Sequence, residues 1–168
     1  LQHLQREGKD MAQVFDVGHV MVDNVLHQAA QLAGTDTGGL PGSAFKQRHA
    51  RYGVVTLHRP SNVDSAEALG RVALALRTVS EELPLVFPVH PRTRNNLERF
   101  GMLDRLAGSG FLILPPQGYL EMLGLMSSAR MVLTDSGGIQ EETTALDVPC
   151  VTIRENTERP ITVEQGTN

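Results

Sequence analysis

The chain has 168 residues, of which 40% are hydrophobic and 20% are charged, and its formal net charge is −4. This length and apolar content suit one domain, or one domain with part of another, and the acidic balance argues against a protein whose partner is nucleic acid. A single cysteine excludes a disulfide framework and a thiolate metal cluster, and no apolar run approaches the roughly 18 residues of a membrane span.

Short apolar runs alternate with amphipathic segments along most of the chain. In chain order, the runs predicted as strands are Val14–Val17, Val54–Leu57, Leu85–Val89, Phe111–Leu114, Met131–Thr134 and Cys150–Ile153. Helical spacing predicts helices over residues 19–34, 65–83, Thr93–Phe100, Tyr119–Ser127 and Ile139–Leu146, and the glycine-rich Gly34–Ser43 is predicted as a loop. Continuous apolar strands between helices indicate a parallel sheet covered on both faces. The predicted fold class is therefore α/β, a doubly wound Rossmann-like domain from about Tyr52 onward, with Cys150 as a small core residue.

The two ends of the chain predict a piece of a longer protein. The first residues contain neither an initiator Met nor the apolar stretch of a signal peptide. Residues 154–168 end just after a glycine and show no pattern of a closing helix.

The residues that follow the predicted strands carry most of the polar chemistry. In such a sheet, ligands bind outside the carboxyl ends of the strands, so these segments are expected to meet at one edge. They are residues 58–62, 90–94, 115–119, 135–138 and 154–160. The cationic and imidazole side chains among them are His58, Arg59, His90, Arg92, Arg94, Arg154 and Arg159. A locally cationic edge in an acidic chain suggests a phosphate ligand.

The sequence DSGG at Asp135–Gly138 joins a predicted strand directly to a helix. Glycines let a ligand approach the backbone, and the free N–H groups and dipole of a helix start favour an anion. Glu142 would lie roughly 7–8 Å further along the helix axis, at about 1.5 Å per residue, where its carboxylate could accept hydrogen bonds from a ribose. Alternatively, Asp135 or Ser136 only caps the helix and the glutamates are solvated surface. Glu141 in particular is expected at the surface.

Four sequence blocks resemble one known family. VTLHRPSN, PVHPR, DSGGIQEE and NTERPITVEQGTN look like blocks of the non-hydrolysing UDP-N-acetylglucosamine 2-epimerases, in the same order. The resemblance implies a GT-B architecture of two Rossmann-like domains with the nucleotide between them. It also implies interconversion of UDP-N-acetylglucosamine and UDP-N-acetylmannosamine, by elimination of UDP to 2-acetamidoglucal and its re-addition with inversion at C2. On this view residues 1–33 are the end of the amino-terminal domain and the crossing, 34–51 a loop, and 52–168 the UDP-binding domain, truncated at its carboxyl end.

The resemblance also assigns roles to individual positions. Substrate binding falls on Arg59, Met122, Ser136, Gly137, Gly138 and Glu142, with the phosphates at Ser136 and Gly137, the ribose at Glu142 and the uracil near Met122. Catalytic roles fall on His58 and Arg159, and His90 matches a position near a regulatory UDP-N-acetylglucosamine site. The family often has HRREN where this chain has HRPSN, so the contacts of Pro60 and Ser61 stay open.

The family's key carboxylates for moving the C2 proton belong to its amino-terminal domain. The full-length protein is therefore expected to be an epimerase, while this chain alone is expected to be inactive. The resemblance further implies a cytoplasmic homodimer in cell-envelope polysaccharide synthesis. No cofactor or metal is expected, and the acidic charge and the lack of a long apolar run predict no nucleic acid or membrane partner. A metal pair of His58 and His90 is disfavoured because no carboxylate shows ligand spacing. Two alternatives stay open: the nucleotide-binding half of a GT-B glycosyltransferase, and a non-catalytic UDP-sugar-binding module.

Overall fold

One parallel sheet forms the centre of the molecule. The computed structural model describes residues 1–34, 38–108 and 110–168. The strands are β1 (Gly53–Thr56), β2 (Leu85–Pro88), β3 (Phe111–Leu114), β4 (Met131–Thr134) and β5 (Cys150–Thr152). They lie in the order β3-β2-β1-β4-β5, every neighbouring pair parallel. This is the Rossmann-like order, in which the direction of winding reverses between β1 and β4. The predicted fold class is confirmed.

Helices connect the strands and cover both faces of the sheet. They are α1 (Gln2–Arg6), a 3₁₀ turn (Met11–Gln13), α2 (Val20–Ala33), α3 (Ser43–Arg48), α4 (Pro60–Val63), α5 (Ala66–Glu82), α6 (Pro91–Arg99), α7 (Leu103–Leu106), α8 (Tyr119–Met126), α9 (Gly137–Ala145) and α10 (Pro160–Glu164). Ser65 caps α5, its side chain accepting the N–H of Ala68 at 3.1 Å. Among the described residues, every helix is too short or too polar to cross a membrane.

The core has two halves because side chains alternate along each strand. Val54 and Val86 point to one face, where they pack with residues of α3 and α8. Val55 and Phe87 point to the other face, where they pack with residues of α5 and α6. Cys150 is buried in β5, as predicted, and burial raises the pKa of its thiol.

The predicted strand at Val14–Val17 is wrong. These residues have no regular secondary structure, and Phe15 and Val17 are 77% and 74% exposed. A short apolar run becomes a strand only where another strand supplies hydrogen-bond partners, and none of the described strands lies beside this one.

Several segments hold more helix than predicted, beginning with the short helices α1, α4 and α7, which lie outside the predicted helices. The segment 34–51, expected as a loop, contains α3, which inserts the buried Phe45 into the core; residues 35–37 of this predicted loop lie outside the described residues. The segment 154–168, expected to lack a closing helix, contains α10. Both helices have six residues or fewer, too short for a clear helical period in the sequence.

Candidate functional site

The candidate site lies where the sheet reverses its winding. Thr56 of β1 and Thr134 of β4 are paired in register, and their hydroxyl oxygens are 2.6 Å apart. The residues that follow these strands, His58 and Asp135, are therefore brought side by side. Crevices at such a point, outside the carboxyl ends of the strands, bind ligands in α/β sheets of this kind.

The carboxylate of Asp135 connects the residues that follow β1 and β4. It is 0% exposed and accepts hydrogen bonds from the backbone N–H groups of His58, at 3.1 Å to each oxygen, and of Arg59, at 2.9 Å. It also accepts one from Asn62 Nδ2 at 3.1 Å. His58 Nδ1 lies 3.0 Å from Oδ1 of the carboxylate, which favours the tautomer with the proton on Nδ1 and leaves Nε2 for a ligand.

Sequence reasoning considered Asp135 only as a possible helix cap and missed this role. The signal that was available is its position, a carboxylate directly after the buried strand β4 and at the ligand-binding edge. Its partners could not be read in the same way, because His58 is 77 positions away in the chain.

The amino terminus of α9 presents free donors. The helix begins at Gly137, after Ser136 in an extended conformation, and no described side chain makes a capping hydrogen bond to it. The N–H of Ser136 donates instead to Thr134 Oγ1 at 3.0 Å. Because the first N–H groups of a helix have no partner within the helix, those of the first turn, at Gly137 and Gly138, remain available to an anion. The capping alternative is therefore wrong.

A carboxylate of the protein itself lies beside this helix start. Arg154 donates to both oxygens of Glu158, at 2.8 and 2.9 Å, and Arg59 Nη2 lies 3.8 Å from Oε1. The hydrogen bonds from Arg154 lower the pKa of Glu158 to about 2. A Cβ added to Gly137 would lie 3.1 Å from Glu158 Oε2. An alanine at this position would therefore require the Glu158 carboxylate to shift by a few tenths of an ångström.

The predicted excess of positive charge at the edge is largely compensated. Each of its arginines has a carboxylate within 4.0 Å; the pairs are Arg59 and Arg154 with Glu158, Arg92 with Asp64, Arg94 with Glu98, and Arg159 with Glu141. Exposed ion pairs contribute little stability, so an arriving anion can replace such a carboxylate at small cost. The arginines are present where predicted, but they are not free.

Glu141 is partly buried, contrary to the prediction that it lies at the surface. Its side chain is 11% exposed, with Oε1 2.6 Å from Arg159 Nε and 3.0 Å from His19 Nε2. His19 precedes α2 and Arg159 precedes α10, so Glu141 joins three segments of the chain. Arg159 reaches α9 through this ion pair, and its own side chain remains 41% exposed.

Glu142 lies on the same helix as a half-buried carboxylate. Burial raises its pKa above the usual 4.5, and the negative charge of Glu141 raises it further. Tyr119 lies near Glu142: burial raises the pKa of its phenol, and the charge of Glu142 adds to this shift.

A cleft of about 250 Å³ opens at this edge and contains His58, His90, Gln117, Met122 and Ser136. The rings of His58 and His90 are 5.9 Å apart between centroids. Gln117 is a lining residue that sequence reasoning did not select. A larger cleft, of about 530 Å³, lies near the amino ends of the strands. We place the site in the smaller one, because ligands of parallel α/β sheets bind at the carboxyl ends.

Within the described part of the chain, no group of three or more His, Cys, Asp and Glu side chains is placed to hold a metal ion. His58 instead faces the Asp135 carboxylate, and His90 accepts the N–H of Arg92 at its Nδ1 at 3.2 Å. The chemistry that the site offers is anion binding next to an oriented imidazole.

A Rossmann-like sheet with an uncapped helix start at its winding reversal is typical of nucleotide-binding domains. The sequence model of the family described as UDP-N-acetylglucosamine 2-epimerase matches residues 1–168. The chain belongs to this family, and the resemblance seen in its sequence blocks is confirmed.

Individual relatives agree with the family assignment. A UDP-N-acetylglucosamine 2-epimerase of Methanococcus maripaludis is 37% identical over 169 residues, which cover 99% of this chain and 46% of the relative. A UDP-2,3-diacetamido-2,3-dideoxy-D-glucuronate 2-epimerase of Pseudomonas aeruginosa is 36% identical, covering 100% of this chain and 45% of the relative. The crystal structure of the Methanocaldococcus jannaschii UDP-GlcNAc 2-epimerase in complex with UDP-GlcNAc and UDP superposes with a TM-score of 0.84 at 38% identity, covering 99% of this chain and 46% of that one. The chain thus spans about half the length of these relatives, as expected for one half of a two-domain GT-B architecture.

Proposed function

We propose that this chain is the UDP-binding half of an enzyme that interconverts UDP-N-acetylglucosamine and UDP-N-acetylmannosamine. The observation that carries the proposal is the uncapped start of α9 beside the Asp135–His58 pair, at the winding reversal of the sheet. This arrangement suits a diphosphate at the helix start next to His58, which donates from Nε2 as an imidazolium stabilised by the Asp135 carboxylate. Relatives named as epimerases, one of them in complex with UDP-GlcNAc and UDP, support the same conclusion.

In this proposal the diphosphate lies on Ser136, Gly137 and Gly138, where backbone N–H groups and the helix dipole stabilise its charge. Arg59, which is paired with Glu158 beside the helix start, and Arg159, which is paired with Glu141 one turn into α9, supply positive charge near it.

The nucleoside then extends along α9 and into the cleft. The Glu142 carboxylate accepts hydrogen bonds from the ribose hydroxyls, and the uracil packs near Met122, a flexible side chain that fills space without stacking as an aromatic would. Met122 lines the same cleft as Ser136.

The proposed reaction breaks the bond between C1 of the sugar and the UDP oxygen while C2 loses its proton. This leaves 2-acetamidoglucal and UDP. UDP then adds back at C1, and C2 receives a proton on the opposite face. The groups that move the C2 proton lie in the amino-terminal half of the full-length protein. The role of this chain is to hold UDP through both steps and to stabilise the negative charge of the departing phosphate through His58 and Arg159.

For His90 we propose a regulatory role. It lines the cleft with His58, so a second nucleotide sugar bound against it would contact the active imidazole directly. His90→Ala in the full-length protein should change how the rate depends on UDP-N-acetylglucosamine concentration and leave UDP affinity unchanged. A parallel loss of UDP affinity would place His90 in the substrate site instead.

We also propose that the full-length protein is a cytoplasmic homodimer in cell-envelope polysaccharide synthesis, needs no cofactor or metal, and binds neither nucleic acid nor a membrane. The family resemblance and the net charge of −4 support this. Analytical ultracentrifugation tests the dimer, and cell fractionation tests the location.

A second candidate substrate has one specific observation in its favour. The relative from Pseudomonas aeruginosa is named for a diacetamido UDP-glucuronate and is nearly as similar to this chain as the relatives named for UDP-N-acetylglucosamine. Assaying both UDP-sugars with the full-length protein separates the two candidates.

The central experiment follows exchange at C2. The full-length protein with UDP-N-acetylglucosamine in D₂O should form the mannosamine epimer with deuterium at C2, seen by NMR, without any sugar acceptor. The 168-residue chain alone, checked for its fold by circular dichroism, should incorporate none above a no-protein control. A full-length protein that gives a product only with an acceptor would support a glycosyltransferase, and one that binds UDP without any product would support a binding module.

A further inference from the structure

A buried polar network joins α9 to the segment that carries Arg159. Gln140, in the second turn of α9, is 0% exposed. Its Oε1 accepts hydrogen bonds from Thr157 Oγ1 at 2.5 Å and from Asn168 Nδ2 at 3.3 Å. The Gln140 side chain, on the helix proposed to bind the anion, is therefore hydrogen-bonded to two residues of the carboxyl-terminal segment.

Thr157 is hydrogen-bonded to the backbone of Arg159 as well as to Gln140. Its Oγ1 accepts the backbone N–H of Arg159 at 2.9 Å. On the other side, the carbonyl of Arg159 accepts the hydroxyl of Thr162 at 2.8 Å. The backbone of Arg159 is thus held from both sides, while its guanidinium remains partly exposed for a ligand.

The end of the chain closes the network. Asn168 Oδ1 accepts the hydroxyl of Thr152 in β5 at 2.6 Å, and Asn168 Nδ2 lies 3.3 Å from Thr162 Oγ1. Gly166 allows the close approach that this needs, since a Cβ there would lie 2.6 Å from both Thr144 Oγ1 and the Thr162 carbonyl oxygen. The blocks DSGGIQEE and NTERPITVEQGTN are therefore one structural unit.

Burying an amide at this position costs free energy, because its polar atoms lose their hydrogen bonds to water. An apolar side chain of similar size would need no hydrogen bonds, whereas Gln140 Nε2 is buried and has no partner among the described residues. The amide instead specifies how its neighbours are arranged, because a buried hydrogen-bond network fixes one arrangement of the groups it joins.

We propose that Gln140 and Thr157 are positioning residues that hold Arg159 in place for the diphosphate before the ligand arrives. This inference rests on the proposed function, because it assumes that Arg159 contacts the phosphates of UDP.

The test uses Thr157→Val in the full-length protein, which removes the hydroxyl and keeps the shape of the side chain. UDP affinity, measured by calorimetry, should fall about 10-fold, the equivalent of one hydrogen bond. The matched control is Thr143→Val, in a buried threonine of α9 whose hydroxyl donates to the carbonyls of Ile139 and Gln140 and is hydrogen-bonded to the thiol of Cys150; its UDP affinity should equal that of the wild type. Thr157→Ser restores a hydroxyl and should restore the affinity.

A double-mutant cycle separates positioning from general destabilisation. In an Arg159→Ala background, Thr157→Val should cause no further loss of UDP affinity. If the two losses add, or if Thr157→Val behaves like Thr143→Val, the positioning role is refuted. If the wild type itself does not bind UDP, the proposed function fails instead. If Thr157→Val loses its native circular dichroism spectrum, Thr157→Ala removes the same hydroxyl and takes its place in both comparisons.

Discussion

Replacing Asp135 by Asn tests how the site is organised. The carboxylate accepts N–H groups on both of its oxygens, three of them on Oδ2. An amide has one acceptor oxygen, and the lowest-cost orientation keeps that oxygen at the Oδ2 position. The NH₂ group then takes the place of Oδ1. It faces His58 Nδ1, which lies 3.0 Å from Oδ1 in the wild type. His58 must turn its ring or carry its proton on Nε2 as a neutral imidazole, and in either case the variant lacks the carboxylate that stabilises the imidazolium proposed to bind the leaving phosphate.

The expected loss follows from this geometry. One interaction between an imidazole and a charged acceptor disappears, worth about 1.5–3 kcal/mol. At about 1.36 kcal/mol per factor of ten, kcat/KM of the full-length protein should fall about 10- to 150-fold. The assay is the initial rate of epimer formation over a range of UDP-N-acetylglucosamine concentrations, with circular dichroism to confirm the fold.

Asp64→Asn provides the control, because it makes the same chemical change at an exposed carboxylate paired with Arg92. Such exposed pairs contribute little, so its kcat/KM should stay within about twofold of the wild type. In a His58→Ala background, Asp135→Asn should have no further effect on the rate if it acts through the imidazole. A natively folded Asp135→Asn protein with wild-type kcat/KM would refute the reasoning.

The remaining predictions concern ligand binding by the full-length protein. Glu142→Gln should weaken UDP binding more than binding of inorganic diphosphate, which has no ribose; equal losses in calorimetric titrations would remove Glu142 from the ribose. Because burial and the charge of Glu141 raise the pKa of Glu142 above 4.5, protonation on acidification should weaken UDP binding at a higher pH than an ordinary glutamate would, and the Gln variant should lack this dependence. Glu158→Gln should bind inorganic diphosphate more tightly, since a pKa of about 2 keeps the wild-type carboxylate charged beside the site at neutral pH; unchanged or weaker binding would contradict this. Gly137→Ala should weaken UDP binding because its Cβ would stand at the helix start proposed to bind the diphosphate, whereas Gly39→Ala, whose Cβ would meet no described atom within 4 Å, should not.

Local pattern was enough for the strands from Gly53 onward. Each of the five strands there is a continuous apolar run between turn residues, and the structure places a strand in each of those predicted runs. The DSGG junction was equally readable, because the chemistry of a helix start depends on residues that are adjacent in the chain. The run at Val14–Val17 shows the limit of such reasoning, since nothing within it reveals that no described strand lies beside it.

The sequence by itself determined the fold class and the family, and it supplied the positions proposed to meet an anion, because these depend on periodicity and on short blocks of adjacent residues. The tertiary structure decided the strand order, the contacts of Asp135 with His58, the partial burial of Glu141 and the hydrogen bond between Gln140 and Thr157. Asp135 and His58 are 77 positions apart, and Gln140 and Thr157 are 17 apart. Contacts at such separations are set by how strands and helices pack, and no local pattern of residues encodes which distant donor will meet which buried acceptor.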